Sequence, residues 1–141
     1  MRWLKLSLLI CIAPLHAQTS MDAPGGAACV VAKKQGNSLA IEWAVGEQSV
    51  SQAIDQAKSA LKSRGFGDLF PQGNSPISHG WIVVIKTNYK TYIGKMRTSY
   101  GCGFSPVSTK AAEDLAISDL RAYSWGWKPD YGYDKVESLR Y

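Results

Sequence analysis

The spacing of apolar residues changes several times along this chain. In "SLAIEWAVG", Leu39, Ile41, Trp43 and Val45 alternate with other residues at period two, the pattern of a half-buried strand. "ACVVAKK" before it reads as a strand, and "QGN" between them as a turn, so an antiparallel hairpin is expected. The period then lengthens: Val50, Ala53, Ile54, Ala57 and Leu61 share one face of a helix. Ser49 followed by Gln52 is a capping-box pattern, in which the hydroxyl accepts from an orphan N–H of the first turn. Arg64 and Gly65 supply a stop.

The same order recurs. "GWIVVIKTNYK" is the strongest strand of the chain, and "TYIGKMRTSYGCG" predicts a second, with Tyr92, Gly94, Met96, Thr98 and Tyr100 on one face. "TKAAEDLAISDLRAY" predicts a helix with a stripe of Ala112, Leu115, Ala116, Leu120 and Tyr123, and "YDKVESLRY" closes as a short strand. Laid over each other, the halves match Gly46 with Gly103 and Val50-Ser51 with Val107-Ser108. After a two-residue shift they match Asp55 with Asp114, Ala57 with Ala116 and Leu61 with Leu120. The expectation is an α+β fold: two ββα units forming one antiparallel sheet, with both helices on one face and a short C-terminal strand.

The stretch "GNSLAIEWAVGEQSVSQAIDQAKSAL" resembles small exported bacterial domains of unknown function, with a strand holding a central aromatic and then a serine-led, alanine-rich helix. The likeness recurs more faintly at 99–121. It implies an exported location and no activity.

The start of the chain agrees with export. "MRWLKLSLLICIAPLHAQ" has a basic pair, Arg2 and Lys5, then an apolar run too short to cross a bilayer, then Pro14 and a small residue, Ala17. Residues 1–17 are expected to be a signal peptide, 18–28 a flexible lead-in and 29–141 a single domain in the periplasm or outside the cell. Removing 1–17 takes away two cations and lowers the net charge from +5 to +3. The remaining bases are spread along the sequence, so neither nucleic acid nor a membrane span is expected. Cys29 and Cys102 are the two cysteines left, and in an oxidising compartment they predict one disulfide. Closing so long a loop stabilises a fold by roughly 4 kcal/mol in the chain-entropy picture.

Catalytic patterns are sparse. The mature chain has one histidine, His79, and no HExxH, CxxC, calcium-loop, phosphate-loop or G-x-S-x-G spacing, so no metal, cofactor or enzymatic activity is expected. Glu42 points away from the Ile41/Trp43 face of its strand, and Asp55, Glu113 and Asp114 fall on polar helix sides. A small hydrolase centred on His79 or Glu42 is the third reading.

Two irregular aromatic segments remain. Residues 65–80, "GFGDLFPQGNSPISHG", are long for a loop and carry Phe66, Asp68 and Phe70. Residues 123–134, "YSWGWKPDYGYD", hold Trp125, Trp127, Lys128, Tyr131 and Tyr133 among helix-breaking glycines and a proline. Some of these rings, Trp125 and Tyr133 first, are expected to plug the core. Trp127 and Tyr131 are expected to be exposed anchors, with Asp68 or Lys128 setting polarity. These residues predict a surface that binds another exported protein, as an inhibitor or immunity protein against an enzyme or toxin. The alternative is a module that binds cell-wall glycan.

Overall fold

A computed structural model describes residues 24–141; the expected signal peptide lies outside them. The order is β1 (Pro24–Lys34), β2 (Asn37–Glu47), α1 (Val50–Ser63), β3 (Leu69–Ile77), β4 (Trp81–Lys90), β5 (Met96–Ser105), α2 (Thr109–Tyr123), a single 3-10 turn (Pro129–Tyr131) and β6 (Asp134–Arg140). The class is α+β, with both hairpins, both helices and the short C-terminal strand.

The hairpins do not merge into one sheet. They build two antiparallel three-stranded sheets, ordered β2-β1-β3 and β5-β4-β6. The reason lies in the central strands. Val30, Val31, Val83, Val84 and Ile85 are all fully buried, so β1 and β4 need cover on both faces. One face of each sheet meets the other sheet: Ala27, Cys29, Val31 and Ile41 pack with Ile82, Val84, Tyr100, Cys102 and Phe104. The opposite face of each meets a helix: Val30, Ala32 and Ala40 lie under Ala57 and Leu61 of α1, and Val83 and Ile85 under Ala112, Ala116 and Leu120 of α2. The layers therefore run helix, sheet, sheet, helix, with the helices on opposite outer sides instead of one face.

Each half is a ββαβ unit whose hairpin contributes its first strand to the sheet centre and whose last strand pairs with it. Ser49 and Ser108 cap the helices by accepting from Gln52 N and Ala111 N, at 3.1 and 3.0 Å. Counted from those caps, the buried trio Ala53, Ala57, Leu61 matches Ala112, Ala116, Leu120 position for position. The Val50–Val107 match does not survive this register. Of the expected α2 stripe, Leu115 and Tyr123 are half exposed.

Three boundaries differ from expectation. β1 begins at Pro24, and Ala27 and Ala28 are fully buried, so residues 24–28 of the expected lead-in belong to a strand, while residues 18–23 lie outside the described residues. Most of the 65–80 segment is β3, an edge strand that tolerates Pro71 and Pro76 because one side of its backbone has no ladder to complete. The strand expected from Thr91 starts only at Met96; residues 91–95 form the β4–β5 turn.

Cys29 and Cys102 form a disulfide across the two sheets, as expected, joining one unit to the other. Close layer packing comes from missing side chains. A Cβ at Gly101 or Gly103 would run into the backbone of Ala116 or Ala112 on α2. No helix among the described residues is long and apolar enough to cross a membrane.

Candidate functional site

Three connections meet to form the site. The β1–β2 turn, Gln35-Gly36, places both residues at positive φ (51° and 76°), the two-residue hairpin geometry that glycine accommodates. Arg97 of β5 lies directly over Gly36, in space that any side chain there would claim. The β4–β5 turn is fastened by Thr91, whose N–H donates to Lys95 O at 2.7 Å and whose Oγ1 accepts from Lys95 N at 3.0 Å. It thrusts Tyr92 and Ile93 into solvent, 90% and 73% exposed.

The third connection, residues 124–133, is pinned by one ring and displays another. Trp127 is buried, and its Nε1–H is shared between Thr87 Oγ1 (3.1 Å) and Gly132 O (3.2 Å). Thr87 Oγ1 in turn donates to Gly132 O at 2.7 Å. Tyr131 donates to Lys90 O at 3.1 Å and meets Tyr89 edge-on at 6.1 Å. Trp125 packs on almost nothing and is 91% exposed.

The expected assignments of these rings are thus exchanged. Trp127, expected as an anchor, belongs to the core, because its indole N–H finds two acceptors inside. Trp125, expected in the core, is open. Tyr133 is half-buried and donates to Glu113 Oε1 at 2.8 Å. That bond, then the one from Lys135, holds the Glu113 carboxyl below its usual range.

Tyr92 and Trp125 form a ridge between two clefts. One, about 360 Å³, is lined by Tyr89, Ile93, Arg97 and Tyr123. The other, about 350 Å³, is lined by Lys90, Trp127, Lys128 and Tyr131. Beyond the first cleft, Lys33 Nζ lies 4.9 Å from the Tyr123 ring centroid and 5.9 Å from that of Phe70. Phe70 of β3 is half exposed, and Lys33 joins it to Tyr123, the last residue of α2. Phe66 stands apart from it, half-buried against α1 and capped by Arg64 at 5.3 Å. Asp68 is exposed, and its carbonyl accepts from Lys33 N at 2.9 Å.

Beneath this surface Asp119 of α2 reaches round the open edge of β5. One of its carboxylate oxygens accepts from Cys102 N and from Gln72 Nε2 of β3, both at 2.8 Å. Burial pushes its pKa up, against the pull of those bonds and of Lys33. Burial likewise lowers the pKa of Lys33, with Asp119 opposing. Asn37 Oδ1 accepts from Thr98 N at 2.8 Å farther along the same edge. Two of β5's outward N–H groups are therefore taken by side chains, which protects the edge from strand addition there.

The hydrolase centres do not assemble. His79 is exposed, with Nδ1 2.9 Å from Ser78 Oγ and no carboxylate hydrogen-bonded to the ring among the described residues. Glu42 is paired with Arg64 at 2.7 Å. No group of three metal-ligating side chains occurs among the described residues.

Sequence reading missed Tyr92, Ile93 and Arg97. Gly94 after Tyr92-Ile93, with φ 82°, is the turn signal that locates them. No family model matches this chain, nor does any curated protein or solved structure.

Proposed function

We propose that this is an exported binding protein that captures another exported protein on the Tyr92–Trp125 ridge and its two clefts. An inhibitor or immunity protein acting on an enzyme or toxin is the specific form of this reading. The observation that carries it is the near-complete exposure of Trp125 and Tyr92 side by side. Fixing two large rings in water forgoes the burial that would stabilise the fold, and such rings are the residue types that dominate protein interfaces. Phe70, Tyr123 and Ile93 extend the apolar surface beyond what scattered exposed residues provide. The leader read in residues 1–17 and the disulfide support an oxidising compartment.

Glycan binding is the second reading. It is favoured by the exposure of Trp125 itself, since a ring with open faces stacks on sugars.

Immobilised protein should retain a partner from envelope extract, and the double variant Trp125→Ala/Tyr92→Ala should bind that partner at least tenfold more weakly with an unchanged circular dichroism spectrum. Equal capture by the variant removes the ridge from the interface. Pelleting with peptidoglycan, lost in the same variant, supports the glycan reading instead.

A further inference from the structure

The mild net charge of this protein conceals an uneven distribution. Six cations surround the ridge: Lys33, Lys34, Lys90, Lys95, Arg97 and Lys128. Arg97 lines one cleft, and Lys90 and Lys128 line the other. Lys33 sits over Tyr123, Lys34 flanks the β1–β2 turn, and Lys95 closes the β4–β5 turn. Near them stand Asp68, Asp130 and the inward-turned Asp119, and no carboxylate lines either cleft. The other described residues hold eight cations, including Arg121 over the Trp127 ring, against seven carboxylates. Folding thus gathers at one surface the positive charge that the sequence spreads over a hundred residues.

We infer that the partner docks through an acidic segment, with carboxylates facing the cations on both sides of an apolar side chain seated against Trp125 or Tyr92. This rests on the partner-protein reading above and names the chemistry of that partner. Aromatic ridge and flanking cations are complementary to that pattern and repel its basic counterpart. Two concave clefts suit a chain that crosses the ridge better than a flat bilayer. The segment is held by side chains: β5's outward N–H groups at Thr98 and Cys102 are already bonded to Asn37 and Asp119.

The test is selection from a random twelve-residue peptide library displayed on phage, using the full oxidised chain. Enrichment of peptides with Asp or Glu on both sides of an aromatic or aliphatic residue is expected. Affinity for a selected peptide should fall at least tenfold in Lys90→Glu/Lys128→Glu, fall again between low and high salt, and stay within twofold in Lys110→Glu at the start of α2. Enriched peptides without acidic bias, or no enrichment at all, overturn the inference. Pelleting with phosphatidylglycerol vesicles or peptidoglycan in place of peptide binding assigns the charge to lipid or glycan and overturns it equally. If the envelope partner is still captured equally by Lys90→Glu/Lys128→Glu, the partner reading stands and only its acidic chemistry falls.

Discussion

The two ββαβ units share topology, capping serines and a buried helix trio, yet they differ in their connections. In the first unit the hairpin turns in two residues, Gln35-Gly36, and five residues link α1 to β3. In the second, five residues join β4 to β5 and ten join α2 to β6. The added length is where Tyr92, Ile93, Trp125, Trp127 and Tyr131 reside. The common part of the units makes the layered core. The aromatic ridge of the proposed binding surface is built from what only the second unit has, on loops held by a rigid scaffold, where functional residues tend to concentrate.

That contrast is open to attack at three depths. The largest effect is expected from Trp127→Ala. It removes the anchor of the long connection and leaves Thr87 and Gly132 without the indole, at a cost of about 3–5 kcal/mol in urea unfolding. A loss below about 1 kcal/mol means the connection is not fastened through this ring.

Asp119 is next. Its counterpart in the first unit, eleven residues after the capping serine in the same register, is Ala60, so the bridge to Gln72 and Cys102 is also peculiar to the second unit. Asp119→Ala should cost about 1–3 kcal/mol by orphaning both donors, and Asp119→Asn, which keeps an acceptor, should cost less. The pH dependence has a definite sign. Burial raises the folded-state pKa, so the Asp119 contribution is fullest when the carboxyl is protonated and is lost as pH rises through the folded value. The stability of Asp119→Asn relative to the native chain should therefore increase from about pH 4 to about pH 7. Glu113 acts oppositely, contributing above the ordinary carboxylate range and losing its contribution in acid. A flat or falling difference for Asp119→Asn would remove burial as the dominant influence on Asp119.

The smallest stability effect is expected from Trp125→Ala, within about 0.5 kcal/mol of the native chain. Only Gly126 separates it from Trp127, so this pair sharpens the comparison: one ring fastens the connection and the other is carried by it. A large loss of stability in Trp125→Ala would show that the exposed ring also supports the fold.

Much of the framework was legible because periodicity reports faces directly. The capping serines, both helices and both hairpins follow from it. The stacking of two sheets was written in "ACVVA" and "WIVVI", whose consecutive apolar residues need cover on two sides, but each also passes for an ordinary strand. β3 was hidden by Pro71 and Pro76, which only an edge position permits. Choosing between Trp125 and Trp127 required knowing where Thr87 and the Gly132 carbonyl lie, and local pattern carries no such information. The same holds for Asp119, an ordinary helix-surface acid until β5 ends up with an open edge beside it. The cationic surface was illegible for a related reason: Lys33 over Tyr123, and Lys90 and Lys128 in the cleft on the other side of the ridge, are brought toward one ridge only after both units close.

The bridge between Cys29 and Cys102 has one cysteine in each unit, while the peptide that joins the units runs through residues 78–80, with His79 in the open. A protease that nicks this junction produces two fragments that still travel together. In denaturant, which removes the packing between the sheets, they migrate as one species without reductant and as two once the sulfur link is opened, so the protein can be cut between its halves and remain a single molecule.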